Sequence, residues 1–207
     1  SGPNPTLTLV VGSDNRTAIY TSHDNATLVF EYTIQAQETD YFGISIPENS
    51  LDNHSSTIRD VALNYAILTH DEVDDNDDYI VDTTPPTVSS VAITSATGIQ
   101  NNLLNAGDVI SVTATFSENV PVTGTPQLTL VVGETNRTAT YASGSGSTPL
   151  VFQYTIQAEE TDSDGISIGA NALALNSGTI KDAAGNYATI THIAVSDDAS
   201  YMVDTLA

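Results

Sequence analysis

Apolar and polar residues alternate with a period of two through most of this chain. Over residues 109–116, Ile110, Val112, Ala114 and Phe116 form one set, and Ser111, Thr113 and Thr115 form the other. Over residues 150–157, Leu150, Phe152, Tyr154 and Ile156 repeat the pattern. Successive strand residues point to opposite faces, so such alternation marks half-buried strands. Further strands are predicted over residues 88–94, 127–132, 137–141, 166–168, 187–192 and 200–203. No stretch sustains the 3.6-residue period of a helix. Seven or eight short strands in ~120 residues, punctuated by Gly, Asn and Asp, predict an antiparallel β-sandwich. Thr, Val, Ile and Tyr are plentiful while Lys, Glu and Arg are scarce, which also favours strands.

The pattern occurs twice. Pro5-Thr6-Leu7-Thr8-Leu9-Val10-Val11-Gly12 returns as Pro126-Gln127-Leu128-Thr129-Leu130-Val131-Val132-Gly133, displaced by 121 residues. After one inserted residue, Leu28-Val29-Phe30-Glu31-Tyr32-Thr33-Ile34 returns as Leu150-Val151-Phe152-Gln153-Tyr154-Thr155-Ile156, displaced by 122. Tyr79-Ile80-Val81-Asp82-Thr83 returns as Tyr201-Met202-Val203-Asp204-Thr205. The chain therefore divides at residue 83. Residues 84–207 hold a complete repeat, and residues 1–83 hold a partial one with no counterpart of Val88 through Val122. The joint, Val81-Asp82-Thr83-Thr84-Pro85-Pro86-Thr87, carries two prolines that fix φ and bias their neighbours to extended backbone, making a stiff spacer.

Charge narrows the partners. With 26 acidic and 4 basic residues the net charge is −22. Nucleic acid and anionic membrane would both repel such a chain, and divalent cations would be drawn to it. No apolar run approaches the ~20 residues that a membrane helix needs, so no membrane insertion is expected. The sequence has no cysteine, so neither disulfide nor thiol chemistry enters.

Four motifs together resemble the bacterial Ig-like tandem repeats of large secreted calcium-binding adhesins of the RTX type. They are Val81-Asp82-Thr83-Thr84-Pro85-Pro86, Phe116-Ser117-Glu118, Thr161-Asp162-Ser163-Asp164-Gly165-Ile166 and Ile180-Lys181-Asp182-Ala183-Ala184-Gly185-Asn186. The resemblance implies tandem Ig-like sandwiches at the cell surface or outside the cell. It implies an extender function, holding a binding tip away from the cell, with calcium as the stiffening ion and neighbouring repeats of the same polypeptide as partners.

The predicted strand order sorts the acidic residues by the end of the sandwich they occupy. Asp82, Asp60 and Asp40 of the first repeat are expected to face Glu118, Asp197 and Asp198 of the second across the Pro-Pro joint. Asp162, Asp164, Asp182 and Asp204 are expected at the second repeat's other end. Calcium takes six to eight oxygen ligands, mainly carboxylates, carbonyls and water. The alternative for each group is a solvated acidic surface or, for Asp162-Ser163-Asp164-Gly165, an Asp-Gly turn. The run Asp71-Glu72-Val73-Asp74-Asp75-Asn76-Asp77-Asp78 is expected at the first repeat's starting end. Zinc, phosphate-loop and serine-nucleophile motifs are absent. His70 and His192 recur at equivalent places, which favours a structural role, and the chain is read as non-enzymatic. Two other functions stay open: a self-assembling fibre subunit completed by strands from an adjacent chain, and a glycan- or surface-binding module.

Overall fold

The computed structural model describes residues 4–206. It is all-β and divides into two units, Ser1–Thr84 and Pro85–Ala207. The first unit contains β1 (Thr6–Val11), β2 (Asp14–Asp24), β3 (Thr27–Glu31), β4 (Thr39–Asp40), β5 (Leu51–Asp52) and β6 (Val81–Asp82). The second contains β7 (Val88–Thr97), β8 (Leu103–Leu104), β9 (Val109–Val120), β10 (Val122–Thr123), β11 (Gln127–Val132) and β12 (Thr135–Ser143). It continues through β13 (Ser147–Thr155), β14 (Thr161–Asp162), β15 (Leu173–Ala174), β16 (Thr179–Ile180) and β17 (Met202–Asp204). Among the described residues no helix is long and apolar enough to cross a membrane.

The second unit is built on one sheet in the order β15-β11-β12-β13-β9-β7. Its long strands are antiparallel neighbours, with Leu150 opposite Ala114, Phe152 opposite Val112 and Tyr154 opposite Ile110. The alternation read from sequence fixes which face is buried. Ile110, Val112, Ala114, Phe116, Leu128, Leu130, Leu150 and Phe152 are essentially inaccessible, while Ser111, Thr113 and Thr115 lie on the other face. A second layer closes the apolar face. It is made of the small sheets β14-β17-β8 and β10-β16 and the irregular chain between them. Ile166, Ile168, Ile180 and Val203 supply its side of the core, together with Leu104.

The expected strand over residues 187–192 is not a regular strand. Ala188 donates to the Ile180 carbonyl and Thr189 to the Pro86 carbonyl, so the segment bonds to two partners in turn and forms no ladder. From there the chain passes Ile168 through Val195 and Ile166 through Asp198, then enters β17 beside β8. Residues 187–204 thus make one traverse of the unit without reversing. That single traverse redistributes the acidic residues.

The first unit repeats the β11-β12-β13 part as β1-β2-β3, in the sheet order β3-β2-β1-β5. Among the described residues it has no counterpart of β7 and β9, as its sequence predicts. The consequence is seen in burial. Leu128 and Leu130 are fully buried, but the matching Leu7 and Leu9 are only partly so. Ile156 is 1% exposed and its counterpart Ile34 is 37% exposed.

Candidate cation sites at the two ends of the second unit

The end of the second unit where the chain arrives is pinned by Thr87 and Ser117. The Thr87 N–H donates to Ser117 Oγ at 3.0 Å, and the Ser117 N–H donates to the Thr87 carbonyl at 2.8 Å. The next residue, Glu118, is half-buried near the end of β9. A carboxylate oxygen of Glu118 lies within 4.8 Å of one from Asp182. Asp182 arrives here because β16, which ends two residues earlier, pairs with β10, and β10 follows directly on β9. Asp182 is 5% exposed. Its two oxygens accept the Asn186 backbone N–H at 2.8 Å and the Asn186 amide at 2.7 Å. A carboxylate offers about four lone-pair positions, so Asp182 retains acceptor capacity beyond its two bonds to Asn186. Two oxygens bound to one calcium lie at most about 4.6–5.2 Å apart, so this pair fits a shared ion, with water and other oxygens completing the shell.

The opposite end holds Asp162, Asp164, Asp197, Asp198 and Asp204. Asp162 is buried, and it is spent on backbone. Its Oδ2 accepts from Gly133 N–H at 2.7 Å and its Oδ1 from Gly165 N–H at 2.8 Å. Asp40 does the same in the first unit with Gly12 and Gly43. Asp198 caps the short 3-10 turn Ala199–Tyr201 by accepting from Ser200 N–H at 2.9 Å. Asp204 accepts from Leu206 N–H at 3.1 Å, as Asp82 accepts from Thr84 N–H at 2.9 Å. Asp164, Asp197 and Asp204 are exposed. A cleft of about 840 Å³ opens here, lined by Arg137, Glu160, Asp162, Asp164 and Asp204 among others.

Two sequence-based placements are therefore corrected. Asp197 and Asp198 lie beside Gly165 and Asp162, at the far end from Glu118, because residues 187–204 cross the unit only once. Asp182 lies with Glu118 and away from Asp162. In the first unit Asp60, the counterpart of Asp182, is exposed and bonds to Asn64, with its carboxyl held below the usual range chiefly by the Asn64 amide. Its neighbour Arg59 lies near Pro5, whereas Asp40 binds Gly12 beyond the other end of β1. The acidic run ending at Asp78 is displaced in the same sense. The Asn76 carbonyl packs against Gly43, beside Asp40, so the run reaches the end where β6 leaves.

Gly165 shows how tight this packing is. Its φ is +101°, and a Cβ there would sit 2.0 Å from the Asp198 carbonyl oxygen. Gly165→Ala is expected to destabilise the second unit by about 1–3 kcal/mol or more, from left-handed backbone strain plus the forced shift of Asp198. Denaturant titration of the second unit's transition measures this, and an unchanged midpoint would contradict the packing.

Sequence reasoning missed the buried carboxylates. Glu160 is 4% exposed. It accepts from Tyr154 Oη at 2.6 Å and Gln157 N–H at 2.8 Å, and it pairs with Arg137. Glu38 holds Tyr32, Gln35 and Arg16 in the same way. The tyrosine hydroxyl first, then the Gln35 backbone N–H and Arg16, hold the Glu38 carboxyl below its ordinary range against its burial. Burial and then Glu160 push the Tyr154 hydroxyl up. The signal was present as Tyr and Glu six residues apart in both repeats, with an Arg 16 or 17 residues before the Tyr. His70 and His192 are structural in the same sense. Their Nε2 atoms accept from Ser50 and Ala172 N–H at 3.0 and 2.8 Å.

No known protein family, curated protein or solved structure matches the chain.

Proposed function

We propose that this chain is a spacer segment of an extracellular fibre or adhesin, built from tandem sandwiches of one type and stiffened by calcium. The observation that carries the reading is the repetition itself: one all-β unit recurs on both sides of an Asp-Thr-Thr-Pro-Pro joint, and the Asp-Thr pair returns at Asp204-Thr205. A repeat joined by a stiff spacer adds length at a fixed increment, and length is what such a segment supplies.

Calcium would sit at the arriving end of the second unit on Glu118 and Asp182. Two clustered carboxylates repel one another unless a cation neutralises them, and binding only to the folded state stabilises it by mass action.

The test is the melting of the full chain in calcium and in chelator. At calcium about 100-fold above Kd the second unit gains roughly 2.7 kcal/mol. Each kcal/mol raises Tm by roughly 4 °C for a unit of this size. Glu118→Gln is expected to abolish the increment, while Asp197→Asn, at the opposite end, leaves it intact. Identical melts with and without chelator would rule out the calcium part of the reading.

A further inference from the structure

The first unit presents a sheet that stops one strand short. In the second unit β13 lies between β12 and β9. In the first unit β3 is the last strand of its sheet, and no described strand pairs with its outer edge. β3 ends at Glu31, whereas β13 continues to Thr155, the counterpart of Thr33. Beyond β13, Ile156 donates to the Asp108 carbonyl and accepts from Gly107 N–H. Ile34, its counterpart, has no such neighbour among the described residues.

A second region is open in a corresponding way. Thr189 donates to the Pro86 carbonyl and forms a parallel bridge with Thr87, where the chain enters the second unit. The matching residue in the first unit is Ile67, which is 87% exposed and forms no such bridge among the described residues, and its neighbour Ala66 is exposed where Ala188 is partly buried. An exposed apolar segment and an unpaired strand edge are both features that soluble proteins cover.

We propose that these two open regions form one docking surface, and that its occupant is a β7–β9-type strand pair of the same repeat kind, joined to the polypeptide ahead of Pro5. The second unit supplies the template. Its residues 86–87 bridge Thr189, β7 follows, and β9 then pairs with β13 before the chain turns through Gly124 to Pro126, the counterpart of Pro5. One continuous segment therefore covers both regions. Its chemistry is set by the register: small or branched apolar residues opposite Leu28, Phe30 and Tyr32, alternating with Ser or Thr outward. Strand addition to an open sheet edge draws its affinity from main-chain hydrogen bonds and its specificity from the alternate side chains. This inference does not rest on calcium.

The experiment joins a copy of residues 85–125 directly to Pro5 of the full chain and follows amide hydrogen exchange by mass spectrometry. Amides of residues 28–34 and 66–68 are expected to exchange at least about tenfold more slowly than in the unextended chain, since paired, buried amides exchange only through opening. A second extension carrying Val112→Ser and Phe116→Ser in the added copy should give no such slowing. The second unit's own exchange reports that each extended chain has folded. Adding residues 85–124 as a free peptide to the unextended chain is a parallel measurement, with the same protected amides expected. No slowing with the matched extension and none with the peptide would overturn the proposal. So would equal protection in the unextended monomer. Protection that appears in the unextended chain only as it dimerises would assign the surface to a second copy instead.

Discussion

Phe152→Ala is expected to cost the second unit about 3–5 kcal/mol, while the matching Phe30→Ala costs the first unit less than half of that. Both rings sit at the same place in the repeat and both meet a tyrosine edge-on. The Tyr141–Phe152 centroids are 6.0 Å apart and the Tyr20–Phe30 centroids 6.2 Å. What differs is the neighbour beyond. Phe152 is inaccessible and opposite Val112 of β9, so its removal leaves a cavity that the closed second layer cannot fill. Phe30 is only partly buried, so much of its surface already meets water, and alanine there leaves a dent instead of a void. Chemical denaturation of each variant, resolving the transitions of the two units, measures the difference. Equal costs at the two sites would mean that the face around Phe30 is covered.

Glu160→Ala is expected to cost the second unit about 3 kcal/mol, at the low end for breaking a buried ion pair because Arg137 retains some access to water. The loss leaves the Tyr154 hydroxyl and the Gln157 N–H without their acceptor. Glu160→Gln, which keeps an acceptor oxygen and removes the charge, should cost about 1–2 kcal/mol. The first unit offers the pH counterpart. The folded state holds the Glu38 carboxyl below its unfolded value, so the unfolded chain binds more protons as pH falls through that window. The contribution of Glu38 is complete above about pH 4.5 and disappears as pH drops towards the folded value. Melting the first unit between pH 6 and pH 3 should show Glu38→Gln flattening the acid side of the stability profile. An acid limb unchanged by Glu38→Gln would remove Glu38 from the explanation.

The fold was largely legible because its strands obey a period of two. The set Ile110, Val112, Ala114 and Phe116 is apolar in sequence and buried in the structure, and the missing partners of Leu7, Leu9 and Phe30 follow from alignment of the two repeats. The ends of the sandwich were less legible. Residues 187–204 contain enough alternation to suggest two strands and a reversal, yet their backbone bonds go to Ile180, Pro86 and Ile168 in turn. A reversal or its absence is decided by those long-range partners, which no local pattern encodes. Asp197 and Asp198 changed ends for this reason, and Asp182 because β16 pairs with β10, a long-range partner of the same kind. Asp162 illustrates another limit: Asp-x-Asp-Gly reads equally as a ligand loop or as a clamp on glycine N–H groups, and only the positions of Gly133 and Gly165 distinguish them.

The few basic residues have a consequence for how copies of this chain meet. All four are engaged inside their own unit: Arg16 and Arg137 on Glu38 and Glu160, Arg59 and Lys181 over the rings of Tyr65 and Tyr187. With 26 acidic residues against these four, the outward charge is overwhelmingly negative. Two such molecules in dilute buffer each carry a net charge of −22 and repel. Added salt shortens the range of that repulsion to about 8 Å at physiological ionic strength. Lateral spacing between neighbouring chains is then set by the ionic medium, and side-by-side bundling waits for a bridging cation or for acid.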